Sequence, residues 1–123
     1  MASLEEIRRR QREKIQAARQ RQAAVEQHAQ TWDPVVSRLL REIGEATWGP
    51  AARLRHWHGE WEIHAAIPAH PHYRVSLRLN EAGEPSHFVV KCAAGELETT
   101  AATEEALADT LRQATEAGPA GWP

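Results

Sequence analysis

Apolar and polar residues alternate with period two through three runs in the middle of the chain, which is the pattern of strands with one face buried. The first run, residues 53–67, sets Trp57, Trp61, Ile63, Ala65 and Ile67 against His56, His58, Glu60, Glu62 and His64. In the second, Tyr73, Val75, Leu77 and Leu79 oppose Arg74, Ser76 and Arg78; in the third, Phe88, Val90 and Cys92 oppose His87, Val89 and Lys91. The three predict an antiparallel meander with one apolar and one polar face. After a turn at Ala93-Ala94-Gly95, residues 96–99 predict a short fourth strand whose charges suit an edge.

Facing residues of an antiparallel pair share a face, so odd positions of the first run oppose odd positions of the second, and odd positions of the second oppose even positions of the third. A register placing Ile63 opposite Leu77 also sets Glu62 against Arg78 as a cross-strand ion pair. Pro68-Ala69-His70-Pro71 and residues 80–85 are the connecting turns.

The flanks carry helical patterns. From Ser3 to Gln30 there is neither glycine nor proline, and Ala, Gln, Glu and Arg dominate. Leu4, Ile7, Gln11, Ile15, Ala18, Gln22, Val25 and Ala29 recur by threes and fours, a coiled-coil spacing whose Gln and Ala positions make it weak in isolation. Thr31-Trp32-Asp33-Pro34 predicts a break, with Asp33 capping and Pro34 opening a second helix over 34–48. Val36, Leu39, Leu40 and Ile43 give that helix an apolar face, and Gly49-Pro50 ends it. Near the other end, Thr103 caps a helix bearing Leu107, Leu111 and Ala114, stopped by Gly118-Pro119.

The fold class expected is therefore α+β: a long N-terminal helix, a second helix, a three- to four-stranded antiparallel β-meander and a C-terminal helix. Three segments follow, with 1–31 a helical arm, 32–118 one globular domain and 119–123 a loose tail. A chain of 123 residues allows one core of that size.

The net charge of -2 gives no overall pull toward polyanions, but it is unevenly spread, with seven Lys/Arg against four Asp/Glu in 1–31 and one against six in 93–123. A basic end and an acidic end permit head-to-tail attraction between copies, or a basic arm for a polyanion. The single cysteine, Cys92, excludes an intramolecular disulfide and any Cys-rich metal cluster. With no apolar signal-like or membrane-spanning run, a cytoplasmic location is expected.

Five of seven histidines fall within residues 53–72. His56, His58 and His64 are weak metal candidates, since residues two apart on a strand are far apart for one ion. Glu60 and Glu62 could do acid/base work only if burial split their pKa values. Neither a phosphate loop nor a GxSxG, HExxH or CxxC motif is present, so no enzyme and no cofactor is expected. Trp57 and Trp61 are expected in the core. With aromatics and arginines on opposite faces, the sheet is a poor platform for single-stranded nucleic acid.

The sequence thus points to a non-enzymatic interaction or assembly module that self-associates or docks on a larger complex through its N-terminal helix, using Leu4, Ile7, Ile15, Val25 and Trp32. The alternative is a nucleic-acid-associated regulator contacting phosphates with Arg8, Arg9, Arg10 and Arg12. Less favoured is a metal-dependent protein or enzyme using the His/Glu face.

Overall fold

The computed structural model describes residues 3–66 and 71–121. Its first element is α1 (Leu4–Trp48), a helix of 45 residues. The Ser3 hydroxyl accepts the Glu6 N–H at 3.1 Å, and Glu5 and Glu6 sit in the first turn, where the helix dipole favours them. The predicted break at residues 31–34 does not occur, and Pro34 lies inside the helix. An interior proline costs about 3 kcal/mol of helix propensity, but the apolar spacing stays in phase across it and the flanking turns are packed. Ala29, Val36 and Leu40 are buried, and Trp32 meets Phe88 edge-on at 5.0 Å between ring centroids. Asp33 caps nothing. Its carboxylate accepts the Trp61 indole N–H at 2.9 Å and the Ser37 hydroxyl at 2.8 Å. Tertiary packing outweighs the local stop signal.

Gly49 closes α1 with a positive φ of 58°, its N–H donated to the Glu45 carbonyl, and a short 3-10 turn (Gly49–Ala51) leads into the sheet. Five strands follow, β1 (Ala52–Trp57), β2 (Glu60–Ala65), β3 (His72–Leu79), β4 (Pro85–Cys92) and β5 (Gly95–Glu98), each antiparallel to its neighbours in the order β1-β2-β3-β4-β5. The three or four strands expected become five because the run over 53–67 is a hairpin. It folds at His58-Gly59, with φ of 41° and 76°, the two consecutive positive values that a tight two-residue hairpin turn requires. Gly59 is needed twice over, since a Cβ there would also lie 2.6 Å from Val25 Cγ1 on the overlying helix.

A two-residue turn reverses the facing parity, pairing Trp57 with Glu60 and His56 with Trp61. Trp61 is therefore fully buried while Trp57, expected beside it, points to the opposite face and is half-buried. Across β2 and β3 the parity is as predicted but the register is tighter, with Ile63 opposite Tyr73 and Glu62 opposite Arg74 in place of Leu77 and Arg78. Residues 68–70 of the expected proline-bracketed turn lie outside the described residues, as does Ile67. Between β3 and β4, odd meets even as expected, Val75 with Val90 and Leu77 with Phe88. The Asn80 side chain organises that turn by accepting the N–H groups of Ala82 and Glu84.

Helix α2 (Glu104–Ala117) is capped by Thr103, whose hydroxyl accepts the Ala106 N–H, and it buries Leu107, Leu111 and Ala114. Both helices contribute to one core with Trp61, Ile63, Tyr73, Val75, Phe88, Val90 and Cys92, so they cover the same face of the sheet. Gly44 lets α1 come down onto it, because a Cβ at that position would lie 2.4 Å from Ile63 Cγ1. Arg38 and Glu104 join the two helices in an ion pair. Ala120, placed by its sequence in a loose tail, is buried and exchanges backbone hydrogen bonds with His72 at 2.8 and 2.9 Å. Among the described residues no helix is long and apolar enough to cross a membrane.

Candidate interaction surface

The stripe Leu4, Ile7, Gln11, Ile15, Ala18, Gln22, Val25, Ala29 and the core-facing stripe Trp32, Val36, Leu40, Ile43 are a single line of residues, spaced by threes and fours along one helix. Its C-terminal half is roofed by the sheet. Its N-terminal half projects beyond, and every residue from Ser3 to Ala23 is exposed, a length of roughly 30 Å at the α-helical rise. Leu4 (64% exposed), Ile7 (43%) and Ile15 (53%) are the exposed large hydrophobics among the described residues. The helix leaves the domain between two turns. Glu26 faces His58 at 3.1 Å on one flank, His28 faces Glu84 at 3.9 Å on the other, and Ala17, Gln20, Arg21 and Ala24 line a shallow groove with residues 80–83.

The residues expected to form the arm surface thus divide. Leu4, Ile7 and Ile15 are uncovered. Val25 is half-buried against Gly59, and Trp32 packs on Phe88, so both belong to the globular unit. The free segment ends near Ala23, because the sheet's turns already reach the helix there. Arg8, Arg9, Arg10 and Arg12 are all exposed and wind around the helix, leaving the apolar stripe uncharged.

The three histidines expected on one polar face are dispersed by the hairpin. His56 lies on the helix-covered side, stacked on Trp61 at 5.0 Å with its Nδ1 3.5 Å from Asp33. His58 occupies the turn beside Glu26, and His64 remains on the open face with Nδ1 2.9 Å from the Ala65 carbonyl. Among the described residues no group of three or more His, Cys, Asp or Glu side chains is placed to hold a metal ion. Glu60 accepts the Ser76 hydroxyl at 3.0 Å, and Glu62 accepts Arg74 at 2.9 Å. Burial works to raise the Glu62 carboxyl, but the Arg74 hydrogen bond and the nearby His72, Arg74 and His64 outweigh it and hold it below the usual carboxylate range. That is the setting of a structural ion pair, not of a proton donor. Asp33 is likewise lowered: burial opposes the charge, while Trp61, Ser37, His56 and Arg41 together prevail.

Residues 53–67 hid one arrangement. Trp57 shares the open face with Arg55 and Arg74, whose guanidinium carbons lie 5.4 and 5.6 Å from its ring centroid. The aromatics and arginines are therefore not segregated as expected. The one trace of it in the sequence is Gly59 inside an otherwise alternating run, which signals an irregularity or a close backbone approach but does not by itself place a hairpin turn. No protein-family model matches this chain, and neither a curated protein nor a solved structure does.

Proposed function

We propose that the protein is a non-enzymatic assembly module that self-associates, or docks on a larger complex, through residues 4–22 of α1. One observation carries this reading: the apolar stripe that packs on the sheet continues in phase for about 30 Å past it with nothing covering Leu4, Ile7 and Ile15. A second helix laid along it would extend the packing that the sheet provides further on. Gln11, Ala18 and Gln22 keep such pairing loose, so association is reversible and depends on concentration. A single buried cysteine suits a reducing compartment such as the cytoplasm.

The test is solution mass and thermal melting of the full chain carrying Leu4→Gln, Ile7→Gln and Ile15→Gln together. The expected result is an assembled mass lower than the parent's at the same concentration, with melting of the globular unit unchanged; an unchanged mass refutes self-association through the arm. Arg8, Arg9, Arg10 and Arg12 make no ion pair among the described residues, which favours polyanion binding as the second reading. Affinity for a DNA or RNA oligonucleotide that falls steeply with salt would support that alternative.

A further inference from the structure

The two outer strands of the sheet match each other and not themselves. β1 begins Ala52-Arg53-Leu54-Arg55 and β5 is Gly95-Glu96-Leu97-Glu98. Following the cross-strand pairs Arg55 with Glu62, Glu62 with Arg74, Arg74 with Lys91 and Lys91 with Glu96 shows that the two arginines and the two glutamates all stand on the open face. Leu54 and Leu97 both stand, half-buried, on the helix-covered face, and all four charged residues are exposed. With five strands successively antiparallel, β5 runs in the same direction as β1.

We propose that β5 of one copy adds in parallel to β1 of a second copy, continuing the sheet head to tail with Arg53 beside Glu96, Leu54 beside Leu97 and Arg55 beside Glu98. The same-face, same-direction geometry keeps the helices of both copies on one side. Charge selects the pairing. Two β1 edges brought together antiparallel about Leu54 would oppose Arg53 to Arg55, and two β5 edges about Leu97 would oppose Glu96 to Glu98; like charges directly opposite destabilise a sheet. Charged edge strands here disfavour those like-with-like registers and favour the unlike pair. Arg53 already uses Nη1 on the Pro50 and Ala52 carbonyls, Arg55 lies over Trp57, and Glu98 faces His87 at 3.8 Å. None of these removes the charge from the open face. Four residues of β5 make a small contact, so the pairing is weak and salt-sensitive, and being heterologous it builds chains of copies rather than closed dimers.

The experiment uses full-length chain with each edge reversed, R53E/R55E in one variant and E96R/E98R in the other. The first has two acidic edges and the second two basic ones, so each alone loses the concentration-dependent growth in mass shown by the parent. Mixed in equal amounts they regain it, every edge again meeting its opposite, and so does the single chain carrying all four substitutions. All of these chains, parent included, also carry Leu4→Gln, Ile7→Gln and Ile15→Gln, so the arm contributes nothing to the growth compared and failure of the arm reading leaves this comparison unchanged. A second measurement mixes Arg55→Cys chains with Glu98→Cys chains under oxidation, native Cys92 being buried. The expected product is mixed disulfide in excess of random pairing. A parent that holds one mass up to about 1 mM, variants that grow in mass as the parent does, a mixture no larger than its parts, or random disulfide pairing each overturns the proposal.

Discussion

Two tryptophans four residues apart have opposite fates. Trp61 is wholly buried, with its ring stacked on His56 and its N–H satisfied by Asp33, so Trp61→Ala should cost about 3–5 kcal/mol in a urea titration. Trp57 lies half-buried on the open face, held mainly by Arg55 and Arg74, and Trp57→Ala should cost about 1 kcal/mol. Equal losses would mean that the hairpin at His58-Gly59 is misplaced. Asp33 and Glu62 bear on pH. Both carboxyls are lowered on folding from ordinary values of 3.8 and 4.5, so in acid the unfolded chain binds more protons. Their stabilisation is complete above those ordinary values and is lost as pH falls through the lower folded ones. Asp33→Asn keeps an acceptor for the Trp61 indole but removes the charge, and its melting temperature should fall less steeply with acid than the parent's. An identical slope would show that Asp33 carries none of the acid sensitivity.

At the level of elements, α1 sets a local rule against a tertiary one. Pro34 sits where its ring and its missing N–H oppose the helix, and the turns on both sides are anchored by Ala29, Trp32, Val36 and Leu40. Pro34→Ala should therefore stabilise the protein by about 2 kcal/mol, the helix-propensity gain less the greater freedom of the unfolded chain. A lower urea midpoint in this variant would show that the proline ring contributes packing worth more than the bond it removes. The two hairpins teach the same lesson in different ways. The turn over residues 80–84 was legible because Asn and Gly stand between two clear alternations. The turn at His58-Gly59 was not, because the run around it alternates through the turn itself and reads as one unbroken strand.

For the whole molecule, the boundary between arm and domain falls near residue 23, some way before the Thr31-Pro34 signal. Removing residues 1–16 should leave the melting of the globular unit within about 0.5 kcal/mol of the parent, since every residue removed that the structure describes is exposed. Removing residues 1–31 should instead destabilise it by roughly 2–3 kcal/mol, through lost burial of Val25 and Ala29. If the two truncations melt alike, the segment from Ala24 to Ala29 does not support the sheet.

Periodicity alone determined the α+β class, the inward faces of β3, β4 and α2, the parity of two strand pairings and the helical character of residues 4–48, because each depends on spacing along one segment. Tertiary structure alone decided that α1 runs straight through Pro34, that Trp57 and Trp61 part company, that His56, His58 and His64 are separated, and that an arginine-bearing β1 stands at the opposite edge from a glutamate-bearing β5. Each of these turns on which segments lie beside one another. The free energy of packing a shared core is large enough to override a proline, choose a register and assign an edge, whereas local sequence signals are worth only a few kcal/mol apiece.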